Sequence, residues 1–138
     1  AFRSRLVREI ESDAGFALIL CDMDNLKTVN DTRGHDAGDK ALQLLGSALR
    51  SQLRRNDEAY RVGGDEFAIV LPRASRLDAE RVMRRLGHAV ASAADGGGAL
   101  EASFGITVFE PGDDPERMVA RADLALYAAK RRRTENVA

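Results

Sequence analysis

At 138 residues, with 44% hydrophobic and 31% charged residues, the chain has the size and composition of one ordinary globular domain. A formal net charge of −1 argues against a general nucleic-acid binder, which carries a basic excess, and no apolar run approaches the roughly 20 residues that span a bilayer. The single cysteine, Cys21, excludes an intrachain disulfide and is compatible with a reducing compartment, so a cytoplasmic setting is expected. No signal peptide is visible, and the start at Ala1 without methionine suggests a domain excised from a longer protein.

Phe2, Leu6, Val7 and Ile10 recur at helical spacing, which predicts a first helix over about 2–11, broken by Gly15. Phe16 to Cys21 is a continuous apolar run, as expected of a central strand covered on both faces. It ends in Asp22-Met23-Asp24-Asn25, and the end of a buried strand is where α/β folds commonly place ligand-binding groups. Residues 25–35 read as a polar loop. Ala41, Leu42, Leu45, Leu49 and Leu53 predict a helix from Asp36 to about Arg54, with Asp36 as its N-cap and Asp39 in a first turn favoured by the helix dipole.

Two strands near 58–62 and 67–71 flank Gly63-Gly64, a pair suited to a tight hairpin turn because glycine tolerates positive φ. Leu77, Val82, Leu86, Ala89 and Ala93 predict another helix, ended by Asp95-Gly96-Gly97-Gly98. The alternation from Leu100 to Val108 reads as a strand with one apolar face. A last helix starts near Pro115 and runs through Met118, Ala122, Leu126 and Ala129, and Lys130-Arg131-Arg132-Arg133 reads as a frayed basic tail.

Apart from the first and last helices, the order is strand, helix, strand, strand, helix, strand. This predicts an α+β fold with a ferredoxin-like βαββαβ core, its helices on one face of an antiparallel sheet. The first and third strands are then central, and Asp22, Asp24, Asp65 and Glu66 converge at one end of the sheet. Four clustered carboxylates repel one another unless a cation sits among them. Oxygen-only donors select a hard ion such as Mg²⁺ or Mn²⁺, and such an ion suits phosphoryl or nucleotidyl transfer. The plain alternative for Gly63-Gly64-Asp65-Glu66 is an exposed acidic turn that keeps a hairpin tip soluble.

Three other motifs fail on the letters. An EF-hand starting at Asp22 would need glutamate where Arg33 stands, and no P-loop sequence occurs. A haloacid dehalogenase-type phosphatase would place Thr or Val at Leu26 and needs a longer chain.

The surviving pattern resembles the GGDEF family, the catalytic domains of diguanylate cyclases. Gly63-Gly64-Asp65-Glu66-Phe67 is similar to the family signature. The run Asp22-x-Asp24-x-x-Lys27-x-x-Asn30-Asp31-x-x-Gly34-His35-Asp36-x-Gly38-Asp39 is similar to a second block, and Arg121-Ala122-Asp123-x-Ala125-Leu126-Tyr127-x-Ala129-Lys130 to a third. The resemblance covers nearly all of residues 1–138 as a single domain.

It implies condensation of two GTP into cyclic di-GMP and two pyrophosphates, at a site formed between two domains of a homodimer and governed by attached sensory or regulatory domains. Asp22, Asp65, Glu66 and the Met23 carbonyl would hold the metal. Glu66, Asp65 and Lys27 would be the catalytic groups. GTP would be bound by Asn25, Leu26, Lys27, Asn30, Asp39, Gly63, Gly64 and Lys130, with Asn30 and Asp39 reading the guanine edge.

Arg54-Arg55-Asn56-Asp57 is similar to the family's inhibitory Arg-x-x-Asp site, where Arg54, Asp57 and Arg85 would bind the cyclic di-GMP product. A cationic helix C-terminus is the plain alternative for the two arginines. Leu26 stands where the family usually has Phe, Thr134 stands where it has a phosphate-binding arginine, and its opening Asp-x-Leu-Thr-Gly-Leu block is absent. Arg133 could replace that arginine by a shift of register. The alternative function is a non-catalytic receptor for GTP or cyclic di-GMP.

Overall fold

The structure is a computed structural model that describes residues 1–95 and 98–137. In chain order its elements are α1 (Phe2–Ser12), β1 (Phe16–Met23), α2 (Leu26–Arg33), α3 (His35–Ser51), β2 (Glu58–Arg61), β3 (Glu66–Pro72), α4 (Arg76–Ser92), β4 (Ala94–Asp95), β5 (Gly98–Ala99), β6 (Ala102–Val108) and α5 (Pro115–Val137). Strands β2-β3-β1-β6 form one sheet in that order, antiparallel throughout, and β4 pairs with β5 separately. The α+β core and its two central strands are as the sequence predicts.

Side chains of a strand alternate between faces, so β1 feeds two cores at once. Ala17, Ile19, Cys21 and Met23 pack with Leu45 and Leu49 of α3 and Leu86 and Val90 of α4. Phe16, Leu18 and Leu20 pack on the other face with Leu6 of α1 and Met118, Ala122 and Leu126 of α5. That double coverage is why the β1 sequence is apolar without interruption. Burial pushes the Cys21 thiol upward, and the charges of Asp22, Asp24 and Glu66 add to that, so it serves as packing.

Four local readings are corrected. Residues 25–35, read as a loop, hold α2, whose Leu26 and Val29 alone join the core. The helix read as starting at Asp36 starts at His35 with Gly34 as N-cap, and Asp36 lies in its first turn. The strand read from Leu100 begins at Ala102, after the small β4–β5 pair. The tail read as frayed continues α5 to Val137, with Lys130 and Arg133 reaching acids at the end of the sheet. The glycine stop after α4 falls partly on residues 96–97, outside the described residues. Among the described residues no helix is long and apolar enough to cross a membrane.

The start of α5 is fastened to β6 through Arg121. Its guanidinium donates to both carboxylate oxygens of Asp113 (2.7 and 2.6 Å), to Thr107 Oγ1 (2.9 Å) and to the Val108 carbonyl (3.0 Å). The Asp113 side chain is only 5% exposed, and the Arg121 hydrogen bond holds its carboxyl below the usual range. A depressed carboxyl stabilises the fold above its unfolded-state pKa and loses that contribution as pH falls through the folded value. Asp113→Asn is therefore expected to cost about 1.5–3 kcal/mol near neutral pH. In thermal unfolding, the gap from the parent chain should close as pH drops below the carboxylate range. A gap that persists in acid would show that the charge is not the cause.

Candidate active site

The antiparallel register of β1 and β3 sets Asp22 opposite Glu66. The Met23 amide donates to the Asp65 carbonyl (3.2 Å), which ties the end of β1 to the hairpin tip. The tip is closed by the Val62 amide on the Glu66 carbonyl (3.0 Å) and braced by Arg61, which donates to the Gly64 carbonyl (2.6 Å). Arg61 was missed in the sequence, where a basic residue next to a turn carries no distinctive signal.

Contrary to the turn argument, neither Gly63 nor Gly64 sits in the left-handed region. A Cβ at Gly64 would meet nothing, and one at Gly63 would only touch the Glu66 Cβ at 3.6 Å. Neither conformation nor packing within the chain demands these glycines. Close approach of another molecule to the backbone is the remaining physical use for them.

Asp22 is the electrostatic centre of the cluster. Its side chain is 15% exposed, and its Oδ2 takes an ion pair from Lys130 Nζ at 2.6 Å. Its Oδ1 is buried and has no hydrogen-bond partner among the described residues. Burial raises the Asp22 carboxyl, with Asp65 adding to the rise and Lys130 opposing it. Glu66 is raised by burial and then by the charges of Asp123, Asp22 and Asp65. For Lys130, burial works downward, but the bond to Asp22 and the charges of Asp22, Asp24 and Asp65 outweigh it, so its pKa rises.

Asp24 has partners of its own in β6 and α5. It accepts from Ser103 Oγ of β6 (2.8 and 3.0 Å) and pairs with Arg133 Nε (3.2 Å), while its amide bonds the Glu101 carbonyl (2.9 Å). Asp24, whose charge still acts on Lys130, thus also fastens the end of β1 to β6 and α5. Among the described residues, no three His, Cys, Asp or Glu side chains group closely enough to cage an ion unaided. The donors still fit a hard divalent cation. They are oxygens, and a buried, unpartnered carboxylate oxygen is the kind of group a cation satisfies. Water and phosphate oxygens would complete the shell.

Asn25 is the N-cap residue of α2, and its Oδ1 is likewise buried and unpartnered among the described residues. Leu26 turns toward the core, while Lys27 is exposed in the first turn of α2, a helix end suited to anions. Asn30, further along α2, packs so tightly on α3 that a Cβ on Gly38 would run into its amide group. That contact brings Asn30 beside the residue preceding exposed Asp39. The two positions expected to act on one base therefore lie on neighbouring stretches of α2 and α3.

Arg54, Asp57 and Arg85 line a separate cavity of about 580 Å³, together with Arg55, Arg73 and Arg81. Asp57 Oδ2 accepts from the Arg54 amide (2.9 Å), and Arg85 donates to the Gln52 carbonyl (3.0 Å). The cavity borders Pro72, which pairs with Phe16 at the far end of β1 from Asp22. At 3.3 Å per residue the two sites are roughly 20 Å apart along the strand.

The family profile described as "Diguanylate cyclase, GGDEF domain" matches residues 1–136. The diguanylate cyclase DosC of Escherichia coli K12 is 37% identical over 136 residues, covering 95% of this chain and 30% of DosC, so the chain spans about a third of that relative's length. The solved structure of the diguanylate cyclase SiaD in complex with its activator SiaC, from Pseudomonas aeruginosa, superposes with a TM-score of 0.89 at 36% identity, covering 94% of this chain and 53% of SiaD. The GGDEF domain of DgcB from Caulobacter crescentus, solved in complex with c-di-GMP, superposes with a TM-score of 0.87 at 29% identity, covering 95% of this chain and 83% of that one.

Proposed function

This chain belongs to the GGDEF family, and we propose that it is one half of a diguanylate cyclase active site, which condenses two GTP into cyclic di-GMP and two pyrophosphates. The observation that carries this reading is Asp22. It is a largely buried carboxylate with one oxygen unpartnered among the described residues, set in register against Glu66 and held by Lys130 at the edge of a glycine tip.

Asp22, Asp65, Glu66 and the Met23 carbonyl would hold Mg²⁺ or Mn²⁺. When bound, the ion neutralises triphosphate charge and lowers the pKa of an attacking hydroxyl. Gly63 and Gly64 let the nucleotide lie against the hairpin backbone. Lys130 is close enough to the cluster to exchange its Asp22 contact for a phosphate oxygen. Lys27 and the amides at Asn25 and Leu26 receive the terminal phosphates at the start of α2. Asn30 and Asp39 meet the guanine edge, where a carboxylate suits the N1–H and N2–H₂ donors. Glu66, its carboxyl raised, takes the proton of the 3′-hydroxyl that attacks the α-phosphate of the GTP carried by a second copy. Pyrophosphate leaves, and a second identical step closes the ring.

Incubation of concentrated protein with GTP and Mg²⁺, followed by chromatographic separation of nucleotides, tests this. Cyclic di-GMP should form with two pyrophosphates per molecule, and ATP should not be consumed. GTP bound but never converted, even in a covalently joined dimer, would sink the enzyme reading in favour of a nucleotide receptor.

The arginine cavity is proposed as the product site. Guanidinium groups suit both the phosphates and the guanine edges of cyclic di-GMP, and Asp57 suits the guanine donors. Arg54→Ala is expected to raise the product concentration needed for half-inhibition at least tenfold with the uninhibited rate retained, as losing a charged hydrogen bond implies. An unchanged inhibition curve would remove Arg54 from that role. Regulatory regions outside these residues would act by controlling how two copies meet.

A further inference from the structure

The loop carrying Arg54 and Asp57 runs from the end of α3 into β2, and Arg54, Arg55 and Asn56 are all exposed. Its internal closure consists of the Arg54 amide on Asp57 Oδ2 (2.9 Å) and the Asp57 amide on the Arg54 carbonyl (3.1 Å). A side chain from a distant element fastens it to the body of the domain. Arg5 of α1 donates from Nη2 to the Asn56 carbonyl (2.8 Å), from Nη1 to Glu58 Oε1 (3.1 Å) and from Nε to Glu9 Oε2 (2.9 Å). Tyr60 Oη donates to the same Glu58 oxygen (2.8 Å) and holds that carboxylate in place.

Arg5 as a whole residue is only 8% exposed, the one charged residue so buried among the described residues. Burying a guanidinium is costly, and a buried ion pair is often no more stabilising than an apolar side chain of similar volume. What arginine supplies and an apolar residue does not is a rigid fork of donors with fixed directions. Here two prongs hold the backbone of the arginine loop and the first residue of β2. A second cavity, about 480 Å³ and lined by Arg5, Asn56 and Arg73 among others, lies on the α1 side of this loop. The loop therefore has room to shift if the tether is cut.

We propose that Arg5 is a positioning residue for the product cavity: it fixes the Asn56 carbonyl, and through it the directions of Arg54 and Asp57, so that α1 sets the affinity of a site it does not itself line. The inference rests on reading that cavity as the cyclic di-GMP site.

The test compares Arg5→Met and Arg5→Lys with the parent chain. Cyclic di-GMP is titrated calorimetrically, GTP turnover is measured in the absence of product, and amide hydrogen exchange is followed at 55–57. Arg5→Met should weaken product binding about ten- to a hundredfold. It should also speed exchange at 55–57 relative to α3, and leave kcat and KM for GTP unchanged. Arg5→Lys, which keeps the charge without the fork, should fall between. Product affinity and loop exchange equal to the parent would overturn the inference. So would product binding and turnover falling together, which marks general loosening. If the parent chain binds no cyclic di-GMP, the product-site reading fails on its own, and the exchange at 55–57 still decides whether Arg5 tethers the loop. If Arg5→Met does not fold, Glu9→Ala, which frees one prong, should give a few-fold weakening and faster loop exchange, and no change in either would overturn the inference.

Discussion

Exchanging Glu66 for glutamine is expected to lower GTP turnover by about 10²–10⁴-fold, the range for removing a positioned acid–base group, while GTP binding is substantially retained. Glutamine keeps the shape of the side chain on β3 opposite Asp22 but cannot take a proton. The charge it removes is one that burial and the neighbouring Asp123, Asp22 and Asp65 already disfavour. Folding should therefore not suffer, and the melting temperature should hold or rise slightly as like-charge repulsion is relieved. Turnover, binding and melting together separate the roles. Loss of turnover with intact binding assigns Glu66 to the chemical step, whereas unchanged turnover would remove it from the mechanism.

A stability effect of comparable weight is expected where α5 crosses β6, on the same face of the sheet. Gly105 of β6 lies where α5 crosses so closely that a Cβ would run into the Leu126 amide nitrogen, the Leu126 Cα and the Ala122 carbonyl oxygen. These are backbone atoms of a helix, and no side-chain rotation relieves the clash. Gly105→Val should push α5 off β6, part Leu18 and Leu20 from Ala122 and Leu126, and cost about 3 kcal/mol or more. For a domain of this size that corresponds to roughly 10 °C in melting temperature. Because α5 also carries Lys130 to Asp22, GTP affinity should fall with stability. Gly105→Ala should show the same defects in smaller measure. A valine variant that melts with the parent would contradict the close helix–strand approach.

The sequence carried the sheet order well, because element order and the unbroken apolar run of β1 leave few antiparallel arrangements. The meeting of Asp22 with Asp65 and Glu66 follows from that order alone, since antiparallel central strands bring the end of one against the start of the other. The small helix α2 was not legible, because only Leu26 and Val29 face the core and two residues make no visible period. The second set of contacts made by Asp24 was not legible either. Its partners Ser103 and Arg133 come from β6 and α5, and nothing local distinguishes it from Asp22. The basic end of α5 looked frayed because its charges have no local partners, yet Arg133 pairs with Asp24 and Glu101 across the fold. Arg5 shows the same limit, since an arginine in an amphipathic helix reads as solvated until its distant carbonyl partner is seen.

The central claim is that one copy supplies half of the catalytic site, and the rate of cyclic di-GMP formation per protomer against protein concentration tests it most directly. With GTP and Mg²⁺ saturating, and the oligomeric state followed by light scattering, the rate per protomer should rise in proportion to protein concentration when dilute. It should level off as two copies associate. Cyclic di-GMP made at a constant rate per protomer by protein that scatters as a monomer would contradict the account.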